Sequence, residues 1–264
     1  MSNLRDHYEN DEVWSEEKYI GNSEELKRFE ETINSIGDNC FTLLDVGSGN
    51  GAFLKILEEK KKELKLLGLE LTEAGIRNKI CLSEIQQGSV DGLPFKDNEF
   101  DIVTALEVIE HLPYSIYRTA LCEIARVAKE KIVVSVPYQE DRINVRCPKC
   151  SCEFNPNTHV RSFYDVTFNE LFEGFNLVKL KRVGKNKRFF LKGSIVNELR
   201  RIIARNQFPT NLFCPQCNYS SPGGSNNSRG SKVIKRNNQF KTYFFKGDYK
   251  WYIAEYEVDS STGT

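Results

Sequence analysis

The chain has 264 residues, 39% hydrophobic and 28% charged, enough apolar material for one large domain or one domain with a smaller one embedded in it. No apolar run reaches bilayer-spanning length and Met1-Ser2-Asn3-Leu4-Arg5-Asp6 holds no apolar leader core, so we expect no membrane span, a cytoplasmic location and reduced cysteines. The net charge of zero hides an asymmetry, 17 Lys or Arg against Glu198 and Asp248 from Lys179 to Lys250 (+15), which fits either a solvated surface or an anionic partner.

In chain order, the acidic segment 1–38 carries Tyr8, Trp14 and Tyr19. A helix follows, capped by Asn22 or Ser23, with Leu26, Phe29, Ile33 and Ile36 at helical spacing. Apolar runs and turn residues then predict a strand near 41–46, a helix near 51–61, a strand near 65–70, a helix near 73–81, and strands near 84–88 and 101–106. A helix near 115–128, a strand near 131–137, a helix at 167–172 and strands at 175–180 and 251–256 complete the set. The alternation predicts an α/β fold, a doubly wound, seven-stranded, mostly parallel sheet with helices on both faces. The interval 184–248 is too long for a hairpin connection and reads as an insertion, with a helix at 194–203 and a flexible tract at 220–228. Residues 259–264 have nothing to pack against and are expected to be disordered.

The segment Leu43-Leu44-Asp45-Val46-Gly47-Ser48-Gly49-Asn50-Gly51 reads as a buried strand, a glycine turn and the start of a helix at Ala52. Three glycines in five residues let a backbone lie flat against a ligand, and a helix N-terminus adds free N–H groups. Glu70 ends the next apolar run, where an acid can accept both ribose hydroxyls of a nucleoside. A nucleoside-containing cofactor follows, although Gly47-x-Gly49-x-x-Ala52 also satisfies a relaxed dinucleotide fingerprint. The later segments separate the two: Gly88-Ser89-Val90-Asp91-Gly92-Leu93-Pro94-Phe95, Phe100-Asp101-Ile102-Val103, Glu107-Val108-Ile109-Glu110-His111-Leu112 and Lys131-Ile132-Val133-Val134-Ser135-Val136-Pro137.

Over residues 40 to 138 this ordered set resembles the class I S-adenosylmethionine-dependent methyltransferases. The resemblance implies that Gly47, Ser48 and Gly49 pass under the methionine end of the cofactor, while Asp45 orients that loop and a water. It implies that Glu70 holds the ribose, that Leu71 lies against the adenine, that Val90 meets the adenine edge and that Leu106 lies beside the sulfonium. The family often has Asp where Ser89 stands; either Ser89 accepts more weakly from the adenine amino group or Asp91 takes over. The same resemblance implies a seventh strand antiparallel between the fifth and sixth, and an N-terminal helical lid at 1–38 over the cofactor. The expected organisation is a core at 39–183 and 249–258, with a loop at 138–165 and the basic insertion at 184–248.

Cys147-Pro148-Lys149-Cys150 and Cys214-Pro215-Gln216-Cys217 are two copies of one knuckle pattern. Two thiolates per knuckle supply a closed four-sulfur set, which selects structural zinc at Cys147, Cys150, Cys214 and Cys217. Cys147, Cys150, Cys152 and His159 form an alternative set that leaves Cys214 and Cys217 without a partner. The knuckles fall in loops leaving the C-terminal ends of the fifth and sixth strands, so zinc is expected to staple a basic subdomain over the ligand edge of the sheet. Cys40, Cys81 and Cys122 fall in or beside core elements and read as small buried hydrophobes.

For methyl transfer to a hydroxyl, His111 is the first candidate base, or else a residue that merely packs after the fourth strand. His159 is the second, and Arg161 beside it could pair with an anionic acceptor. Glu107, Glu110 and His111 also resemble the divalent-cation cluster of small-RNA 2′-O-methyltransferases and some quinone-biosynthesis O-methyltransferases, in which His159 could take part. Three functions follow as expectations: O-methylation of a hydroxyl or phosphate on an anionic small molecule or glycan precursor, methylation of RNA, and a non-catalytic cofactor-binding scaffold.

Overall fold

The computed structural model describes residues 8, 9, 11–37, 40–140, 142, 144–185, 214, 216, 217, 219 and 249–259. The expected helix at 194–203, the tract at 220–228 and the tail at 260–264 lie outside the described residues. After a 3-10 turn at Asp11–Trp14, the elements are α1 (Glu16–Tyr19), α2 (Ser23–Ile33), β1 (Thr42–Val46), α3 (Ala52–Lys60), β2 (Lys65–Glu70), α4 (Glu73–Arg77) and β3 (Glu84–Gln87). They continue with β4 (Phe100–Leu106), α5 (Tyr114–Val127), β5 (Ala128–Pro137), β6 (Val145–Arg146), β7 (Glu153–Phe154), β8 (Phe175–Lys185) and β9 (Tyr249–Val258).

The main sheet runs β3-β2-β1-β4-β5-β9-β8, with β9 antiparallel to both neighbours and the first five strands parallel. This is the expected seven-stranded doubly wound sheet. Alternate residues of the buried strands serve opposite faces, as a period of two requires. Leu43 and Ile102 pack with Phe29, Phe53 and Leu54 of α2 and α3, whereas Leu44, Val103, Ile132 and Val134 pack with Ala120, Leu121 and Ile124 of α5. Asp101 anchors the lower edge by accepting from the Phe41 and Thr42 amides at 2.8 and 3.0 Å. Asn22 caps α2 by accepting from the Glu24 amide at 3.1 Å. Within α2, Arg28 lies buried, donating to Glu25 at 2.6 and 3.0 Å and to Ser135 Oγ at 2.9 Å. A charge so placed is tolerated because its partners replace water.

Two helices differ from expectation. α4 ends at Arg77 rather than 81, because the Asn78 side chain donates to the Ala74 carbonyl and the Ile80 amide turns to Asn50 O. In place of a helix at 167–172 there is one 3-10 turn, Asp165–Phe168. The apolar residues there act as separate anchors: Phe168 packs on Phe163 and Tyr252, and Phe172 on Tyr256. β8 runs to Lys185, five residues beyond the expected end at 180. The short hairpin β6–β7, which carries the first cysteine knuckle, had no signal in the periodicity.

Candidate active site and four-cysteine cluster

β1 ends where the chain must turn sharply, and Gly47 and Gly49 supply the left-handed φ of 71° and 57° that the turn needs. The Gly47 and Ser48 amides donate to Leu69 O at 2.7 and 3.0 Å, which docks the turn on the end of β2. Glu70 then bridges two loops, accepting from the Gly49 amide at 2.9 Å and from the Thr72 amide and hydroxyl at 2.9 and 2.7 Å. Among the described residues, buried Ser48 Oγ has no hydrogen-bond partner. An orphaned hydroxyl on a buried glycine turn is what a polar ligand would satisfy. Leu71 stands exposed next to Glu70, Val90 is buried and Leu106 half-buried. Ser89 Oγ donates to Asp91 Oδ1, so these two share one position rather than competing for it.

Asp45 is buried below the turn and accepts from Thr104 Oγ1 at 2.6 Å. Burial pushes its carboxyl from the ordinary 3.8 up to about 7, against the Thr104 bond and Arg28. Between about pH 4 and pH 7 the folded chain therefore holds a proton that the unfolded chain has released. Stability falls as pH rises through that window, by at most about 1.4 kcal/mol per pH unit from this group, and levels above it. Asp45→Asn keeps the acceptor oxygen and removes the proton. Thermal unfolding followed at pH 5 and pH 8 should show a smaller drop in Tm for the variant; equal drops would refute this account.

The aromatic residues before α2 are packed onto the turn. Trp14 presses its ring against Gly49, donates from Nε1 to Tyr8 O at 2.7 Å and accepts at its own carbonyl from Asn50 Nδ2 at 2.8 Å. The Tyr8 hydroxyl reaches His111 Nδ1 at 3.3 Å and Thr158 Oγ1 at 3.4 Å. Glu9 accepts from the Ala74 amide at 3.1 Å, at the start of α4.

Beyond β4 the chain places a second group of ionisable residues. Glu107 takes a left-handed φ of 58° and lies by Ser135 Oγ, 3.5 Å from its carboxylate; burial raises its carboxyl to about 7, with Arg28 opposing. Glu110 is wholly buried, and among the described residues neither carboxyl oxygen has a hydrogen-bond partner. Burial, then the Glu107 charge, hold it well above the usual carboxylate range. One donor atom each from Glu110, His111 and His159 lie within 4.8 Å of one another, and the two imidazole centroids are 4.7 Å apart. Of the residues expected to hold a cation, Glu110 and His111 stand together with His159, and Glu107 lies by Ser135.

Arg161 donates from Nη1 to Ile109 O at 2.5 Å and stacks on Tyr117 at 3.6 Å. Its Nη2 is buried without a hydrogen-bond partner among the described residues, and burial lowers its pKa. With Val160 donating to Glu110 O at 2.8 Å, the segment around His159 is fastened onto the loop of His111. Sequence reasoning missed Arg28, Glu140 and Thr158 as members of this region. A cation on the apolar face of α2 was a signal for Arg28; loop residues far apart in sequence offered none.

The sulfurs of Cys147, Cys150, Cys214 and Cys217 all lie within 4.8 Å of one another, with Cys147–Cys217 at 3.6 Å and Cys150–Cys214 at 3.5 Å. Tetrahedral zinc with Zn–S near 2.3 Å needs sulfurs about 3.8 Å apart, so the set fits. Each knuckle closes in the same way: the Cys147 amide donates to Cys152 O and the Cys214 amide to Tyr219 O, both at 2.9 Å. Against burial, the Gln216 and Cys217 amides draw the Cys214 thiol down to about 6. Cys152 Sγ lies 3.4 Å from Cys214 Sγ, but the alternative set with His159 is not assembled, because His159 pairs with Glu140.

Residues 44–134 match the family model described as a methyltransferase domain. The YcgJ methyltransferase of Bacillus subtilis is 29% identical over 140 residues, covering 49% of this chain and 52% of the relative. The MJ0638 protein of Methanocaldococcus jannaschii is 34% identical over 108 residues, covering 40% and 41%. The chain thus spans about half the length, or less, of these curated relatives. A chain in the complex of the Haloferax volcanii Trm112 methyltransferase activator with a methyltransferase shares the fold, with TM-score 0.56, 16% identity and coverage of 97% of this chain and 96% of that one. With its sheet order and glycine turn, the chain therefore carries a class I S-adenosylmethionine-dependent methyltransferase domain, matched over residues 44–134.

Proposed function

We propose that the protein is an S-adenosylmethionine-dependent methyltransferase that methylates a hydroxyl or phosphate oxygen on an anionic small molecule or glycan precursor. The observation that carries this reading is the buried glycine turn, clamped by Glu70, bearing a Ser48 hydroxyl that is orphaned among the described residues, and lying against Val108 of the loop that holds His111, whose ring meets that of His159. S-adenosylmethionine, when bound, supplies an electrophilic methyl group for in-line displacement. Gly47, Ser48 and Gly49 hold its methionine end and Asp45 sets the turn. Glu70, kept in register by the Gly49 and Thr72 amides, accepts from the ribose hydroxyls with its remaining lone pairs, Leu71 covers the adenine, and Ser89, Val90 and Asp91 meet its edge. Leu106 lines the sulfonium side. The N-terminal segment with Tyr8 and Trp14 is the lid, excluding water from the reacting atoms.

In this reading His111 or His159 takes the acceptor proton, and Arg161, whose Nη2 has no hydrogen-bond partner among the described residues, pairs with an anionic acceptor. Structural zinc at Cys147, Cys150, Cys214 and Cys217 ties together the loops leaving β5 and β8, and so holds the segment that carries His159. A second reading, RNA 2′-O-methylation, is favoured by Glu110, His111 and His159, which would hold a divalent cation that acidifies the acceptor hydroxyl. The +15 stretch would serve phosphate contacts.

Methyl-labelled cofactor incubated with separate pools of anionic metabolites, sugar precursors and RNA decides among these. Label in the small-molecule pools, retained after chelation of Mg2+ and Mn2+, is the expected result. Label confined to RNA and lost on chelation establishes the second reading; no label in any pool, with cofactor bound, leaves the scaffold function and overturns both.

A further inference from the structure

The two cysteine knuckles close by the same backbone bond but differ in one thiol. In each, the amide of the first cysteine donates to the carbonyl five residues on, Cys147 to Cys152 O and Cys214 to Tyr219 O, both at 2.9 Å. That position therefore has to supply a carbonyl, not a sulfur, and Tyr219 supplies it in the second copy. The first copy places a cysteine there. Ser151 takes a left-handed φ of 61°, and its amide donates to Cys147 O at 2.9 Å. This conformation is uncommon outside glycine, and here it doubles the chain back so that the next side chain meets the cluster.

Cys152 Sγ lies 3.4 Å from Cys214 Sγ, closer than the 3.6 Å of Cys147–Cys217 and the 3.5 Å of Cys150–Cys214 within the four-sulfur set. A disulfide holds its sulfurs about 2.05 Å apart, so a shift of about 1.4 Å shared by two side chains would bridge the pair. A tetrahedral set is complete with four sulfurs and leaves the fifth uncommitted. Cys152 is also half-buried, whereas Cys214 is buried. It is the sulfur of this pair that a small solute can reach.

We propose that Cys152 is an oxidation site: a peroxide-class oxidant joins Cys152 to Cys214 as a disulfide, which withdraws Cys214 from the four-sulfur set and opens the site that ties down the His159 segment. The loss of metal rests on the zinc assignment made under the proposed function; the pairing of the two thiols does not.

The step balances. Hydrogen peroxide transfers one oxygen to Cys152 Sγ; its O–O bond breaks, one water leaves and a sulfenic acid remains. Cys214 Sγ then attacks the Cys152 sulfur and the S–O bond breaks. The departing hydroxide takes the Cys214 proton and leaves as a second water. Two thiols give up two electrons and two protons, and the peroxide accepts them.

The test uses the full chain, loaded with zinc and freed of reductant, then treated with hydrogen peroxide. Metal release is read with a chromogenic chelator, and the bridge by mass spectrometry of peptides cut without reduction. A Cys152–Cys214 bridge that accumulates in step with released zinc, both reversed by dithiothreitol and added zinc, is the expected result. Cys152→Ser keeps the backbone carbonyl of the knuckle; it should hold zinc and release it at least about tenfold more slowly under the same treatment. Cys122→Ser removes an exposed thiol outside the cluster and should behave as wild type. Equal rates of release in wild type and Cys152→Ser, or a bridge confined to other cysteines, overturns the proposal. A chain that binds no zinc overturns the metal assignment, and in that chain the absence of a Cys152–Cys214 bridge overturns the thiol pairing as well.

Discussion

Gly49→Val is expected to weaken binding of S-adenosylmethionine by at least about 10²-fold, read by isothermal calorimetry. Gly49 has a φ of +57°, a left-handed conformation that a β-branched residue adopts only under strain of about 1–3 kcal/mol. A Cβ there would lie 2.4 Å from the Trp14 ring, so the aromatic residue must move or the turn must open. Either movement also pulls the Gly49 amide from Glu70 Oε2, now 2.9 Å away. The carboxylate assigned to the ribose would then lose its register with the turn. About 3 kcal/mol of combined loss corresponds to the stated change in affinity. Gly37→Ala serves as the control, since its added Cβ finds only Cys40 Sγ at 3.9 Å, and its affinity should match wild type. An unchanged affinity in Gly49→Val would remove the glycine turn from the cofactor site. Tight binding of a nicotinamide dinucleotide in place of the methyl donor would do the same for the assigned cofactor.

The second large effect is expected at the cysteines. Cys147→Ser with Cys214→Ser takes one thiolate from each knuckle, and tightly held zinc should fall from one ion per chain to none. Structural zinc contributes on the order of 10 kcal/mol to the folding of small zinc modules. The main sheet has its own core on both faces, so that loss should stay local. Hydrogen exchange should therefore accelerate across 144–160, with the β1–β5 amides unchanged. Because the same segment carries Asn155, Thr158 and His159, transfer should drop at least tenfold although no cysteine touches the reacting atoms. Cys152→Ser tests the choice of ligands: Cys152 is 3.4 Å from Cys214, yet it contributes its carbonyl to the knuckle, so metal content should persist. Zinc retained by the double variant, or lost from Cys152→Ser, would overturn the assignment.

Much of this molecule was legible in the chain itself, because the features concerned are local. Near-continuous apolar runs such as 43–46 and 131–136, a glycine turn followed by a helix start, and an acid closing the next strand are each written within a few neighbouring residues. So are the two Cys-Pro-x-Cys knuckles, whose spacing bends a backbone around one metal wherever the loops stand. The parallel direction of β5 and β8 then brings both knuckles to the same sheet edge, which topology made predictable. Local pattern misled at 167–172, where apolar residues at helical spacing proved to be separate anchors under Tyr252 and Tyr256.

Only the tertiary structure decided how the ionisable groups are shared. Tyr8 meets His111 across 103 positions, Thr158 meets it across 47, and Arg28 reaches Ser135 across 107. That His159 comes to stand with Glu110 and His111 follows from the seating of one loop on another. Burial is likewise a property of the assembled layers: it raises Asp45, Glu107 and Glu110 together, though each has the same side chain as acids exposed elsewhere. A residue's type is set by the chain, but its dielectric surroundings and its partner are set by whatever the fold brings against it.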